Sequence, residues 1–285
     1  PDIPGLDRFR GATYLTSRWP EAGVDFTGTR VGVIGTGSTG VQVIPQVARQ
    51  ATHLTVFQRS PQYSVPVGNR PISKERLTEI KQNYDQIWDH VFSSMTGFAF
   101  PESNIPTFSV SPEEREAIYE KAWQKGGGFN YMFGTFNDIA VDAAANEEAS
   151  SFIRRKIAQI VKDPETARKL TPTDLYARRP LCDSGYYEIF NRSNVALVDC
   201  KATPISEIRP NGIVTADGTL HELDMIIFAT GFDVFTGSLF KPNITGRNGM
   251  TLKTKWADGP VTYLGLMTSG FPNLFMITGP GSPSV

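Results

Sequence analysis

The chain has 285 residues, is 40% hydrophobic and 20% charged, and carries a formal net charge of −1. That length accommodates two domains, or one with an insertion, while the near-neutral balance argues against a nucleic-acid binder, which carries a basic face. No apolar run approaches the ~18 residues that span a bilayer, no signal peptide is expected, and the cysteines (Cys182, Cys200) and histidines (His53, His90, His221) fall at no metal-ligand spacing, so neither membrane nor metal is expected, and the cytoplasm is the expected compartment.

Residues 1–30 are rich in Pro and Gly with scattered aromatics, and read as a linker anchored by Phe9 and Trp19. The apolar run 31–34 then predicts a strand buried on both faces. It leads into Gly35-Thr36-Gly37-Ser38-Thr39-Gly40, a G-x-G-x-x-G followed by a helix over 41–50 and a second strand over 53–57. In such a motif the first glycine allows the tight turn, the second lets backbone approach a pyrophosphate, and the third lets helix and strand pack closely. The helix N-terminus offers free N–H groups and a positive dipole end to the phosphates. Pro45 removes a donor inside this helix, which predicts a kink. NAD-binding units place Asp or Glu at the end of the second strand to bind the ribose 2′-OH. Here Gln58-Arg59-Ser60 stands instead. A guanidinium and a hydroxyl without a carboxylate suit a 2′-phosphate, so NADPH is the expected dinucleotide.

Residues 66–175 read as an all-helical insertion. One helix is expected over 73–90, with Leu77, Ile80, Tyr84, Ile87 and Trp88 at helical spacing. Another begins at the capping box Ser111-Pro112-Glu113-Glu114 and stops at Gly126-Gly127-Gly128. A third is expected over 146–162, and Asp163-Pro164-Glu165 caps a short fourth. The aromatics of this region are expected in its core. Sheet character returns with a strand over 195–198, hairpin turns at Asn211-Gly212 and Asp217-Gly218, and a buried strand over 223–228 leading into Ala229-Thr230-Gly231-Phe232-Asp233. Further strands are expected over 263–267 and 274–277, followed by a Gly279-Pro280-Gly281 turn.

The segment Phe9-Arg10-Gly11 … Leu15 … Trp19-Pro20 resembles the fingerprint of the Baeyer–Villiger monooxygenases, F-x-G-x-x-x-H-x-x-x-W-P. Phe9, Gly11, Trp19 and Pro20 match, and Leu15 stands where the family has histidine. The resemblance extends over the whole chain and looks closer to the cyclohexanone type than to the aryl-ketone type, chiefly at residues 179–187 and at Gly126-Gly127-Gly128-Phe129. It implies an α/β fold: a Rossmann-like dinucleotide-binding domain of the two-domain FAD/NAD(P) flavoprotein type with an all-helical insertion. The implied layout is a fingerprint linker (1–25), a discontinuous NADPH-binding domain (26–65 and 176–228), the insertion (66–175), and part of the FAD-binding domain (229–285). The implied cofactors are FAD and NADPH, and the partners a ketone, expected to be cyclic, and O2. The implied product is an ester or lactone formed through a flavin C4a-peroxide. Arg179 matches the essential arginine near the flavin, and Arg178 replaces the lysine that contacts the 2′-phosphate. Ala229, Thr230, Gly231 and Asp233 match the A-T-G-x-D crossover between the nucleotide domains.

The family's FAD fingerprint and a catalytic aspartate are expected before Pro1, so this stretch alone is expected to be inactive. Three rivals stand beside this reading. A nitrogen- or sulfur-oxidising flavin monooxygenase would keep both nucleotide sites, but the Phe9–Pro20 pattern and the insertion speak against it. A dithiol reductase needs a redox cysteine pair that the spacing of Cys182 and Cys200 does not supply. A non-catalytic NADPH-binding module is the third.

Overall fold

The apolar run that opens the glycine motif forms the middle strand of a five-stranded parallel sheet in the computed structural model, which describes residues 2–231 and 236–282. In chain order the first unit, up to Thr230, contains β1 (Ala12–Leu15), β2 (Arg30–Ile34), α1 (Ser38–Gln50), β3 (His53–Gln58) and β4 (Ser64–Pro66). The helical region follows as α2 (Lys74–Gln82), α3 (Tyr84–Ser93), α4 (Pro112–Lys125), α5 (Gly128–Gly134), α6 (Ala143–Ile160) and α7 (Pro164–Leu170). The chain then returns to sheet in β5 (Leu181–Asp183), β6 (Val195–Asp199), β7 (Ile205–Arg209), β8 (Gly212–Thr215), β9 (Leu220–Glu222) and β10 (Met225–Phe228).

The main sheet runs β1-β10-β2-β3-β6, and each neighbouring pair is parallel. Parallel neighbours cannot be joined by a hairpin, so every pairing needs a crossover. Helix α1 supplies the one from β2 to β3, the helical region the one from β3 to β6, and the antiparallel sheet β7-β8-β9 the one from β6 to β10. The apolar stripe of α1 (Val41, Ile44, Val47, Ala48) lies in one core with Val31, Val33, Leu54 and Val56, all nearly inaccessible to solvent. Phe57, Ile226 and Phe228 belong to a second core with Ile208 and Ile213 of the antiparallel sheet. Arg30 fixes the register at the sheet's end: its guanidinium reaches the Asp224 carboxylate at 2.8 Å, and its backbone N–H donates to the same carboxylate at 2.8 Å.

Several elements differ from the sequence-based expectation. Helix α1 continues through Pro45, which is buried; burial of the apolar stripe outweighs the one missing intrahelical bond and keeps the helix from ending there. The fingerprint segment is not only a linker, because Ala12–Leu15 forms an edge strand of the main sheet paired to β10. The expected helix over 73–90 is two helices, broken at Asn83 (φ −109°, ψ 21°), whose side-chain amide donates to the Glu79 carbonyl at 2.8 Å. Such local side-chain bonding competes with helix propagation. Leu77, Tyr84 and Trp88 on this pair are exposed rather than core. The core of the insertion is built instead from Tyr119, Tyr131, Phe136 and Phe152, with Tyr119 5.5, 5.1 and 5.4 Å from the other three ring centroids. Helix α6 starts three residues before the expected 146, where the Asp142 carboxylate accepts from the Ala145 N–H at 2.8 Å.

The second unit, from Gly231, contains two short helices, α8 (Gly237–Phe240) and α9 (Leu252–Lys255), around a small core of Leu252, Trp256, Phe271 and Met276. The strands expected over 263–267 and 274–277 do not form. A strand needs a ladder partner, and among the described residues this backbone bonds locally: Tyr263 N–H donates to Met267, and Met276 N–H to Leu266. The turn Gly279-Pro280-Gly281 precedes Ser282, whose N–H donates to Gly279 at 3.0 Å. No helix among the described residues is long and apolar enough to cross a membrane.

Gly11 lies where β1 enters the sheet, and a Cβ there would meet the Asp224 carbonyl at 2.2 Å. Gly11→Ala is expected to lower stability by about 2 kcal/mol, as overpacking does, read as a lower urea midpoint with an unchanged slope.

Candidate functional site: the glycine loop and the arginine loop

At the C-terminal end of β2 the chain turns through Gly35 (φ 104°), a conformation that side chains rarely adopt. A Cβ on Gly35 would meet the Ala229 carbonyl at 2.4 Å, and one on Gly40 would meet the Gly35 carbonyl at 2.3 Å. Gly37 differs: a Cβ there meets nothing within 4 Å. Packing therefore demands the outer two glycines, while the middle one is exposed and leaves its backbone open to solvent. Helix α1 begins beside it at Ser38 with no side-chain cap and no acidic residue in its first turn. Its first N–H groups are left for an anion, which the dipole also favours. Ser38 is exposed and Thr39 half-buried.

Thr36 is buried, and its hydroxyl donates to the Ser60 carbonyl at 3.3 Å, tying the glycine loop to the segment after β3. The Tyr186 ring lies in the same core, and its hydroxyl is buried without a partner among the described residues. In the segment after β3, Gln58 turns inward and donates to the Lys169 carbonyl at 2.7 Å. Arg59 is exposed and makes no ion pair among the described residues, and Ser60 is half-buried. Gln62, two residues after Ser60, accepts from Arg178 at 3.2 Å. One short segment thus links the glycine loop to the arginine loop.

Residues 171–180 form that second loop, with neither helix nor strand. Arg178 pairs with Asp174 at 3.0 Å and remains mostly exposed. Arg179 is also exposed, with its guanidinium carbon 6.0 Å from the Phe129 ring centroid, and Phe129 stacks on Phe98 at 5.0 Å. Gly128 allows this approach, because a Cβ there would meet Pro180 Cβ at 2.6 Å; its N–H donates to the Cys182 sulfur at 3.1 Å. The sequence marked Gly126-Gly127-Gly128 as a helix stop, yet a second helix restarts at Gly128 and carries Phe129 to the arginine. Nothing in the local pattern distinguishes Phe98 and Phe129 from core aromatics.

Ala229 is buried against Gly35, whereas Thr230 and Gly231 are exposed. Asp233 lies outside the described residues. In the fingerprint, Phe9 packs in the second core and Trp19 lies 5.7 Å from Tyr14 and 6.3 Å from Phe26; Pro20 is half-buried. Leu15 pairs with Phe228, and Thr16 donates to the Phe228 carbonyl at 3.3 Å. The fingerprint therefore abuts the strand that delivers Ala229 and contributes no group to the glycine loop.

Asp183, at the end of the arginine segment, is buried. Its carboxylate accepts from Ser64 Oγ at 2.5 Å, from Gly185 N–H at 3.0 Å and from Tyr186 N–H at 2.8 Å. Burial raises its pKa against the pull of those donors.

No family model matches the chain. A Baeyer–Villiger monooxygenase of Pseudooceanicola batsensis is 56% identical over 283 residues, 99% of this chain and 52% of the relative. A cyclohexanone 1,2-monooxygenase of an Acinetobacter species is also 56% identical, with the same coverage. A phenazine N-monooxygenase of Lysobacter antibioticus is 54% identical over 99% of the chain and 52% of its own length. Among solved structures, the closed form of cyclohexanone monooxygenase superposes with a TM-score of 0.95 at 56% identity, covering 98% of this chain and 52% of that one. A Rhodococcus cyclohexanone monooxygenase bound to NADP+ gives 0.94 at 58% identity, with the same coverage.

The parallel sheet, with its glycine loop at a strand end, is a Rossmann-type nucleotide-binding fold of the flavoprotein kind. The chain belongs to the Baeyer–Villiger monooxygenase family and spans about half the length of the curated relatives it matches.

The raised pKa of Asp183 gives a signed expectation. A carboxyl with a folded value above its unfolded one costs nothing at low pH and destabilises once ionised. As pH rises from below about 4, the ordinary carboxyl value, through its raised folded value, the parent should therefore lose stability relative to Asp183→Asn, measured by urea unfolding across the pH range.

Proposed function

We propose that this chain holds NADPH and presents an arginine to the reacting centre of an NADPH- and FAD-dependent Baeyer–Villiger monooxygenase, which converts a ketone to an ester or lactone with O2. The observation that carries the reading is the glycine loop, with Gly37 open and the N-terminus of α1 uncapped, joined through Ser60 and Gln62 to Arg178. The loop fits a pyrophosphate, because its outer glycines answer to packing and its middle one only to a ligand. Arg59, Ser60 and Arg178 would bind the 2′-phosphate, Arg by two parallel bonds. Ala229 and Thr230, which follow β10 beside the glycine loop, would lie on the side toward the flavin. The cofactors, when bound, supply the hydride and the activated oxygen.

Arg179 brings a fixed positive charge to an apolar wall of Phe129 and Phe98. The wall suits the hydrocarbon of a ketone, and the guanidinium favours negative charge developing on its oxygen. The relatives support this reading in their names: a cyclopentanone 1,2-monooxygenase of a Comamonas species is 40% identical, and cyclohexanone monooxygenase has been solved with ε-caprolactone bound. Two free thiols, Cys182 and Cys200, support a cytoplasmic setting.

Oxidation of nitrogen is the second reading. The phenazine N-monooxygenase aligns across both the fingerprint and the insertion, so neither feature separates the two chemistries. Incubating the full-length protein with NADPH and either cyclohexanone or phenazine distinguishes them. Lactone is the expected product, and an N-oxide with no lactone overturns the ketone reading.

Gly37→Ala adds a methyl that touches no protein atom within 4 Å, so stability should stay within about 0.5 kcal/mol of the parent. NADP+ affinity, by titration calorimetry, should fall at least about tenfold. Arg59→Ala should weaken NADP+ about tenfold and leave NAD+ unchanged. Arg179→Ala should abolish oxygenation, read as product per NADPH consumed.

A further inference from the structure

The arginine loop has no regular secondary structure, so something other than a ladder must fix where Arg178 lies. Its backbone is held at Tyr176 by one side chain of the helical insertion. The Asn146 amide donates through Nδ2 to the Tyr176 carbonyl at 2.9 Å, and its Oδ1 accepts from the Tyr176 N–H at 2.9 Å. The second Nδ2 hydrogen goes to the Ile139 carbonyl at 3.0 Å. With two carbonyls and one N–H around it, the amide has one orientation that satisfies all three. Asn146 is almost wholly buried on the face of α6 that carries Ala149, Phe152 and Ile153. A buried amide is costly without partners. Here it reproduces, from a side chain, the paired bonds that a neighbouring strand would give.

A second tether acts two residues earlier. Tyr63 donates to the Asp174 carbonyl at 2.8 Å, and its hydroxyl accepts from Arg154 of α6 at 2.8 Å. Arg154 also donates to the Pro172 carbonyl at 3.0 Å. The Asp174 carboxylate in turn pairs with Arg178 at 3.0 Å. The Tyr63 and Tyr176 rings meet edge to face at 5.4 Å.

The geometry points to Asn146, assisted by Tyr63, as a positioning residue through which the insertion sets the aim of Arg178 and so the preference for a 2′-phosphorylated dinucleotide. This rests on the reading of Arg178 as a 2′-phosphate contact. Loss of the clamp frees the loop without touching the glycine loop that binds the pyrophosphate common to both dinucleotides. NADP+ binding should weaken and NAD+ binding should not.

The test is equilibrium binding of NADP+ and of NAD+ to the full-length protein in five forms: parent, Asn146→Leu, Tyr63→Phe, Arg178→Ala, and Asn146→Leu combined with Arg178→Ala. Asn146→Leu is expected to raise the Kd for NADP+ about tenfold, and Tyr63→Phe about threefold, with NAD+ within about twofold of the parent. In the Arg178→Ala background, Asn146→Leu should leave the NADP+ to NAD+ ratio unchanged, because its route of action is gone. Tyr63→Phe changes one hydroxyl and carries the test alone if Asn146→Leu does not fold. Equal weakening of both dinucleotides, or no weakening, while Arg178→Ala still shifts the ratio, overturns the positioning role. A flat ratio in Arg178→Ala itself overturns the 2′-phosphate reading, and this inference with it.

Discussion

Backbone meets backbone at Gly35 and Gly40. Strand β2, helix α1 and the segment leaving β10 converge so closely that a single added carbon would lie 2.4 Å from the Ala229 carbonyl or 2.3 Å from the Gly35 carbonyl. That contact fixes how these three segments meet at the C-terminal end of β2. It sets the start of α1 and hence where its free N–H groups point. It also brings the end of β10 beside the glycine loop, so that Ala229, distant in sequence, becomes a wall of the same site. The apolar stripe of α1 then locks the arrangement from below.

The arginine loop is placed by different means. It has no ladder, and Arg178 and Arg179 remain exposed. Its location comes from polar bonds to Asn146 and Arg154 of the insertion and to Tyr63 and Gln62 after β3, while cohesion comes from a hydrophobic core that runs continuously from Val31 and Ile44 through Tyr131 and Phe152. The division makes physical sense: apolar burial is non-directional and holds segments together, whereas an amide clamp such as that of Asn146 specifies one register. The insertion thus holds the backbone of the arginine loop at Pro172 and Tyr176 as well as packing in the same core.

Legibility in the sequence followed the range of the interaction. Strand β2, helix α1 and strand β3 were readable because their apolar spacing and glycines are local, as was α4 from Ser111 and Pro112. Strand β1 was not, since Ala12–Leu15 becomes a strand only beside β10. Strand β5 is three residues long and exists through Ser64–Pro66. The exposed aromatics of α3 carry the same periodicity as a buried face, so pattern alone assigned them to the core. The strands expected over 263–267 and 274–277 had strand composition but no partner among the described residues. Within the candidate site, the glycine loop was marked by residue type and spacing, and the arginine pair only by the family resemblance. Asn146, Tyr63 and Phe129 were not, because a clamp made across tens of residues leaves no mark on its neighbours; a lone Asn on an otherwise apolar helix face was the one available hint.

The order of the main sheet has a kinetic consequence. Both of its outer pairings join distant parts of the chain: β3 must wait for β6 beyond the whole insertion, and β1 for β10, where Thr16 and Phe228 bond across 212 residues. Closing such loops is entropically slow. On a ribosome, β1 and β2 emerge well before β10, the strand that separates them, and remain without it until nearly the entire first unit has been synthesised. During that interval the exposed edges of β1, β2 and β3 can pair with other chains. The helical region is richer in local contacts and can condense first around Tyr119 and Phe152. It would then act as a folding scaffold that shortens the search β6 must make.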